Sequence, residues 1–108
     1  MSNLEIIKKR FLKEDLTKRL GGIASNLGRL KSFSQVPNNK KAISDLIEES
    51  KFFIEWTAPE ASLHIQEELV NIQLQLALCG LSKEKEEIVH SADKWAEKIL
   101  GLSGLIKK

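Results

Sequence analysis

Leu16-Thr17-Lys18-Arg19-Leu20-Gly21-Gly22-Ile23-Ala24-Ser25-Asn26-Leu27-Gly28-Arg29-Leu30 decides the fold class. Leu16, Leu20, Ile23, Leu27 and Leu30 recur at steps of four and three, which sets them on one face of an α-helix. The same spacing runs through the rest of the chain. Ile43, Leu46, Ile47, Phe53 and Ile54 mark a second stripe, and Ile65, Leu69, Ile72, Leu76 and Cys79 a third. Ile88, Ala92, Trp95, Ile99 and Leu102 mark a fourth. No run alternates apolar with polar, as a half-buried strand would. Upstream, Leu4, Ile7 and Phe11 keep a helical step, then the phase slips before Leu16, so 3–34 reads either as one long helix or as a short helix leading into a longer one with a bend near Lys13 to Asp15. The expected fold is all-α: an antiparallel up-down four-helix bundle with a basic helical N-terminal extension at 1–15, the whole of 1–108 forming one domain.

Local signals place the breaks. Pro37 has no amide proton and holds Val36 extended, so the first long helix stops in the loop 34–39. Asn38 or Asn39 is expected to cap the next helix, which runs to about Trp56. In Thr57-Ala58-Pro59-Glu60, Thr57 and Glu60 have the spacing of a capping box, with Pro59 in the first turn, so a new helix is expected to start at Ala58. Gly80 is expected to end that helix with a left-handed cap, and Ser82 to cap the next. Gly101 and Gly104 weaken the final turns. Short loops make successive helices antiparallel. That topology gathers Phe52, Phe53, Trp56 and Trp95 at one pole and leaves Phe33 at the other.

The 108 residues are 42% hydrophobic and 30% charged, enough to fill one core and coat it, which excludes a disordered chain. The formal net charge of +2 does not by itself imply nucleic acid. Residues 1–41 nevertheless carry ten Lys or Arg against Glu5, Glu14 and Asp15. The plainer reading of this asymmetry is a solvated helix face; the functional one is contact with an anionic surface or acidic partner. Nucleic acid is the weakest partner class, since only Phe11 lies near those lysines to stack on a base. A single cysteine, Cys79, excludes an internal disulfide and fits a reducing compartment. No apolar run suits a signal peptide or reaches the roughly 20 residues of a membrane span. A cytoplasmic location is expected.

Four constellations invite a functional reading. Gly21, Ser25, Gly28 and Ser32 form a small-residue stripe about 100° around the axis from the leucines. Close packing within the chain is the preferred reading, and a dimer or partner surface the alternative. Phe52, Phe53 and Trp56 cover more of the second helix than one core stripe needs, so one ring could anchor a partner unless the pole buries all three. Glu87 and His90 have the Glu-x-x-His spacing of di-iron bundles, but neither Glu60, His64 nor Glu67 repeats it, and Ile88 rather than Glu87 continues the stripe. Cys79 lies on its helix's apolar stripe, which favours a core role over a nucleophile. Gln66, Asn71, Gln73 and Gln75 interleave with leucines in the third helix, the composition of a helix between two neighbours.

The stretch Leu46-Ile47-Glu48-Glu49-Ser50-Lys51-Phe52-Phe53-Ile54-Glu55-Trp56-Thr57-Ala58 resembles a group of small, uncharacterised helical proteins of cyanobacteria. Trp95-Ala96-Glu97-Lys98-Ile99-Leu100-Gly101-Leu102-Ser103-Gly104-Leu105 is similar to the same group. The resemblance implies a cyanobacterial cytoplasmic setting and a compact helical fold, with no activity, cofactor or binding residue to carry over. The expected function is therefore non-enzymatic protein–protein interaction or self-association, with a homodimer possible, through Gly21, Ser25, Gly28 and Ser32 or Phe52, Phe53 and Trp56. No cofactor or metal is expected. The alternatives are a small-molecule or metal-binding bundle, and weak nucleic-acid binding through the basic arm.

Overall fold

The computed structural model describes residues 3–36, 38–81 and 85–103, with backbone alone at 79–81, 85–90 and 103. The described residues are helical and contain no strand. Five α-helices follow one another: α1 (Asn3–Lys13), α2 (Leu16–Ser34), α3 (Lys40–Thr57), α4 (Leu63–Leu81) and α5 (Lys85–Ser103). A single 3-10 turn, Ala58–Glu60, joins α3 to α4. Where four helices and an extension are expected, the extension is a separate helix. Asp15 makes the break: its carboxylate accepts from the Lys18 amide at 2.9 Å and starts α2 afresh.

One core runs through the chain. Leu20, Ile23, Leu27 and Leu30 of α2 are buried with Leu46, Ile47 and Ile54 of α3, Leu69, Ile72 and Leu76 of α4, and Ala92, Ala96 and Ile99 of α5. These are the stripes read from spacing, and Ile43, Phe53, Ile65 and Trp95 pack at their edges. Helix α2 packs most extensively on α5 and then on α3, while α4 lies against α3 and α5. Ion pairs join the helices. Lys31, near the end of α2, meets Asp93 at 2.9 Å, and Lys98, late in α5, meets Glu68, early in α4, at 3.0 Å.

Several local expectations are corrected. Asn39 precedes α3, yet its side chain makes no cap; Nδ2 donates to the Phe33 carbonyl at 3.2 Å and closes the end of α2 instead. Asn38 takes the left-handed conformation (φ 62°), which asparagine tolerates better than most residues. The capping box is not formed. Thr57 makes no side-chain cap, Glu60 turns to Arg19, and Ala58–Glu60 is a 3-10 turn rather than the start of α4. Helix α4 runs through Gly80 to Leu81 instead of stopping at the glycine, and α5 continues past Gly101 to Ser103. Pro37, Ser82 and Gly104 lie outside the described residues.

The aromatic pole is also altered. Phe11 of α1 takes the place expected of Trp95. Its ring stacks on Phe53 at 4.1 Å between centroids and lies 6.0 Å from Trp56, which stacks on Phe52 at 5.6 Å. Trp95 joins none of these stacks. It packs at the edge of the core, two residues beyond Asp93, the partner of Lys31.

Candidate functional site

Helix α4 has two apolar faces. Leu69, Ile72 and Leu76 point into the core and are buried completely. Each step of two residues turns a helix by about 200°. Leu63, Leu74 and Leu78 stand two residues from Ile65, Ile72 and Leu76, and therefore on the far side. Leu63 is 71% exposed, Val70 54%, Leu74 57% and Leu78 48%. A solvent-facing helix ordinarily carries polar residues there. Val70, Leu74 and Leu78 line one outward face, and Leu63 continues it on the other side of Glu67; large apolar side chains grouped in this way mark interaction surfaces, unlike scattered single exposures.

The surroundings of this stripe are shallow. Gln66, Glu67, Val70, Asn71 and Leu74 line an open groove of about 400 Å³. Helix α4 contains no Lys or Arg. Glu67 is exposed within the stripe, between Leu63 and Val70, while Glu68 is turned toward α5 and held by Lys98. Two of the four interleaved amides bond within the chain. Gln66 Nε2 donates to the Ala58 carbonyl at 2.7 Å, and Gln73 Nε2 donates to the Lys51 carbonyl at 3.3 Å. They fix the rotation of α4 against α3, so its outward stripe is presented by a held helix.

The residues singled out from sequence are dispersed. Gly21 and Gly28 are half-buried and Ser25 and Ser32 exposed. A Cβ at Gly28 would meet nothing within 4 Å, and one at Gly22 would touch Phe11 at 3.6 Å. No neighbour of the chain closes on the stripe at Gly28. Phe52, Phe53 and Trp56 are half-buried and engaged with one another and with Phe11; Lys8 Nζ lies 5.7 Å from the Trp56 ring. Helix α1 thus covers the aromatic group. Its opposite face, Ile6, Lys9, Arg10 and Lys13, is exposed and basic. His64 is exposed, and no group of three metal-ligating side chains occurs among the described residues. The side chains of Cys79, Glu87 and His90 lie outside them. No described helix is long and apolar enough to cross a membrane.

Arg19 and Glu60 form a perturbed ionisable pair. The Arg19 guanidinium is buried, forms two hydrogen bonds to the Glu60 carboxylate at 2.6 and 3.0 Å, and donates through Nε to the Glu14 carbonyl. Hydrogen bonding to Glu60 raises Arg19 above its ordinary value, and the reciprocal bond from Arg19 holds Glu60 below the usual carboxylate range. Each of the three guanidinium nitrogens donates to a structural partner, so this pair ties α2 to the α3–α4 turn rather than marking chemistry.

The outward α4 residues escaped the sequence reading, though their signal was present. Leu63, Val70, Leu74 and Leu78 are surplus to the stripe through Ile65, Leu69, Ile72 and Leu76. No family model matches the chain, no curated protein matches it, and no solved structure matches it.

Proposed function

We propose that this chain is a non-enzymatic interaction protein of the cytoplasm that docks another polypeptide on the outward face of α4. In this reading α2 to α5 form an antiparallel up-down four-helix bundle, with α1 as its basic N-terminal extension. The observation that supports it is the second apolar stripe, Leu63, Val70, Leu74 and Leu78, exposed on a helix whose other face is already buried. Apolar anchors of this kind supply most of the affinity at protein interfaces. The small stripe of α2 and the rings of α3 are secondary surfaces in this reading: the first is open, and the second is largely occupied by α1. The resemblance to small cyanobacterial helical proteins belongs to the same proposal and lends it no activity or cofactor.

Leu74→Glu tests the reading. It places a carboxylate at the centre of the stripe without touching the core. The expected result is about a tenfold or greater loss of assembly or partner capture at unchanged helicity. Lys9→Glu, on the outward face of α1, should leave both intact. Unchanged assembly and capture in Leu74→Glu would refute the proposal.

A further inference from the structure

We propose that α1 is a detachable membrane-surface anchor, which swings out at the Asp15 break and lies along an anionic lipid bilayer. The α4 face takes no part. At 100° per residue, Leu4, Ile7, Phe11 and Leu12 fall within one arc of about 140° around α1. Lys9, Arg10 and Lys13 fall opposite, within an arc of about 100° that also holds Ile6. The bundle satisfies only part of the apolar arc. Phe11 is buried and Ile7 half-buried, while Leu4 stays 39% exposed and Leu12 40%. One short helix thus carries an apolar face that its own chain covers incompletely and a cationic face open to solvent. A helix with that layout lies in a membrane interface, its apolar side among the acyl chains and its cations at the headgroups.

Charge and attachment both suit release. Helix α1 carries Lys8, Lys9, Arg10 and Lys13 against Glu5 alone. The two carboxylates that follow it are engaged: Glu14 meets Lys18 at 3.6 Å, and Asp15 accepts from the Lys18 amide. Lys8 lies inside the apolar arc, its Nζ 5.7 Å from the Trp56 ring, and its long stem lets the ammonium reach the headgroups. Because Asp15 caps α2, α1 separates without unwinding α2. Phe11 is the one buried side chain of α1 that must leave its place, and it exchanges a protein surface for a lipid one. Its departure uncovers Trp56, a ring of the type that seats at the headgroup boundary. A helix of eleven residues is marginal in water, so release requires a surface that keeps it helical.

Other anions fit less well. A nucleic acid offers nothing to Leu4, Ile7 and Leu12, and Phe11, the one ring on α1, is stacked on Phe53. An acidic polypeptide matches the outward cations and leaves Leu4 and Leu12 where they are. A bilayer takes both faces of the helix from one side.

Vesicle flotation of the full chain tests this. The probes are vesicles of phosphatidylglycerol and phosphatidylcholine in equal parts, and vesicles of phosphatidylcholine alone. Wild type should float with the anionic vesicles and not with the neutral ones, and the bound fraction should fall in about 1 M salt, where the Debye length is about 3 Å. Lys9→Glu with Lys13→Glu should weaken binding about tenfold or more. Leu4→Ser with Leu12→Ser keeps the charge and spares the Phe11 stack, and should also weaken it about tenfold or more. Circular dichroism and the thermal transition check that both variants remain folded. In a Cys79→Ser background, an environment-sensitive dye on Leu12→Cys should shift its emission to the blue on anionic vesicles.

Absent flotation, or equal flotation with neutral and anionic vesicles, would overturn the anchor. So would an unshifted dye, or Leu4→Ser with Leu12→Ser binding as wild type while the lysine variant fails; the last pattern would hand the basic face to a soluble polyanion such as nucleic acid or an acidic polypeptide. Leu74→Glu should float as wild type does. Its loss of flotation with both α1 variants unaffected would move the lipid contact to α4. Polypeptide docking on α4 is read separately, by capture in Leu74→Glu, so either assignment can fail without the other.

Discussion

Arg19 and Glu60, forty-one residues apart, meet through two hydrogen bonds of 2.6 and 3.0 Å, with the guanidinium buried and the carboxylate half in water. The pair is asymmetric, and so are the consequences of breaking it. Removing Arg19 leaves a carboxylate that solvent can satisfy but empties the space held by the arginine stem. Removing Glu60 leaves a buried cation with only the Glu14 carbonyl.

The first prediction concerns pH. Arg19 holds the Glu60 carboxyl below its ordinary value of 4.5 in the folded chain. A depressed folded-state value contributes stability that is fully present above the unfolded value and is lost as pH falls through the folded one. Glu60→Gln removes that contribution. Urea unfolding should show the variant less stable than wild type at pH 7. The gap should narrow as pH drops below about 4.5, and a gap unchanged down to pH 3 would contradict the assignment.

Thr57 carries the second prediction. Its hydroxyl is fully buried and has no hydrogen-bond partner. Valine keeps the shape and β-branching and removes the stranded oxygen. Thr57→Val should raise stability by about 1 kcal/mol, measured by chemical denaturation. A capping role for Thr57 would give a loss of similar size instead.

The helices were legible because burial imposes its period on the chain: Leu20, Ile23, Leu27 and Leu30 had to share a face, and they do. The caps were not legible, because a cap is one of several uses of the same side chain. Glu60 is well spaced to bond the Thr57 amide, but the charge-assisted pair with Arg19 is stronger and forms only once α2 is folded against the turn. Asn39 likewise serves the carbonyl behind it rather than the amides ahead. The outward leucines of α4 were visible as residues and invisible as a face, since assigning them outward requires knowing which stripe the core has taken.

Gly28 gives the third prediction. Glycine inside a helix costs about 0.5–1 kcal/mol relative to alanine, and here no neighbour requires it, because a Cβ would meet nothing within 4 Å. Gly28→Ala should raise stability by roughly 0.5–1 kcal/mol. Assembly and partner capture should not change, since the proposed docking face is on α4. A drop in assembly would move the docking surface to the small stripe of α2.

Phe11 carries the fourth. It is the one buried residue of α1, wedged against Phe53 and Gly22. An eleven-residue helix does not hold itself together in water, so α1 exists because Phe11 docks it. Truncating a buried phenylalanine costs about 3–5 kcal/mol when the whole structure must bear it. Here α1 can release locally at the Asp15 break while α2 to α5 keep the core formed by Leu20, Ile54, Ile72 and Ile99. Phe11→Ala should therefore abolish hydrogen-exchange protection across Asn3–Lys13 and expose the Trp56 ring to quenchers, yet move the main thermal transition only slightly. A single cooperative loss of all five helices would show instead that α1 is integral to the core.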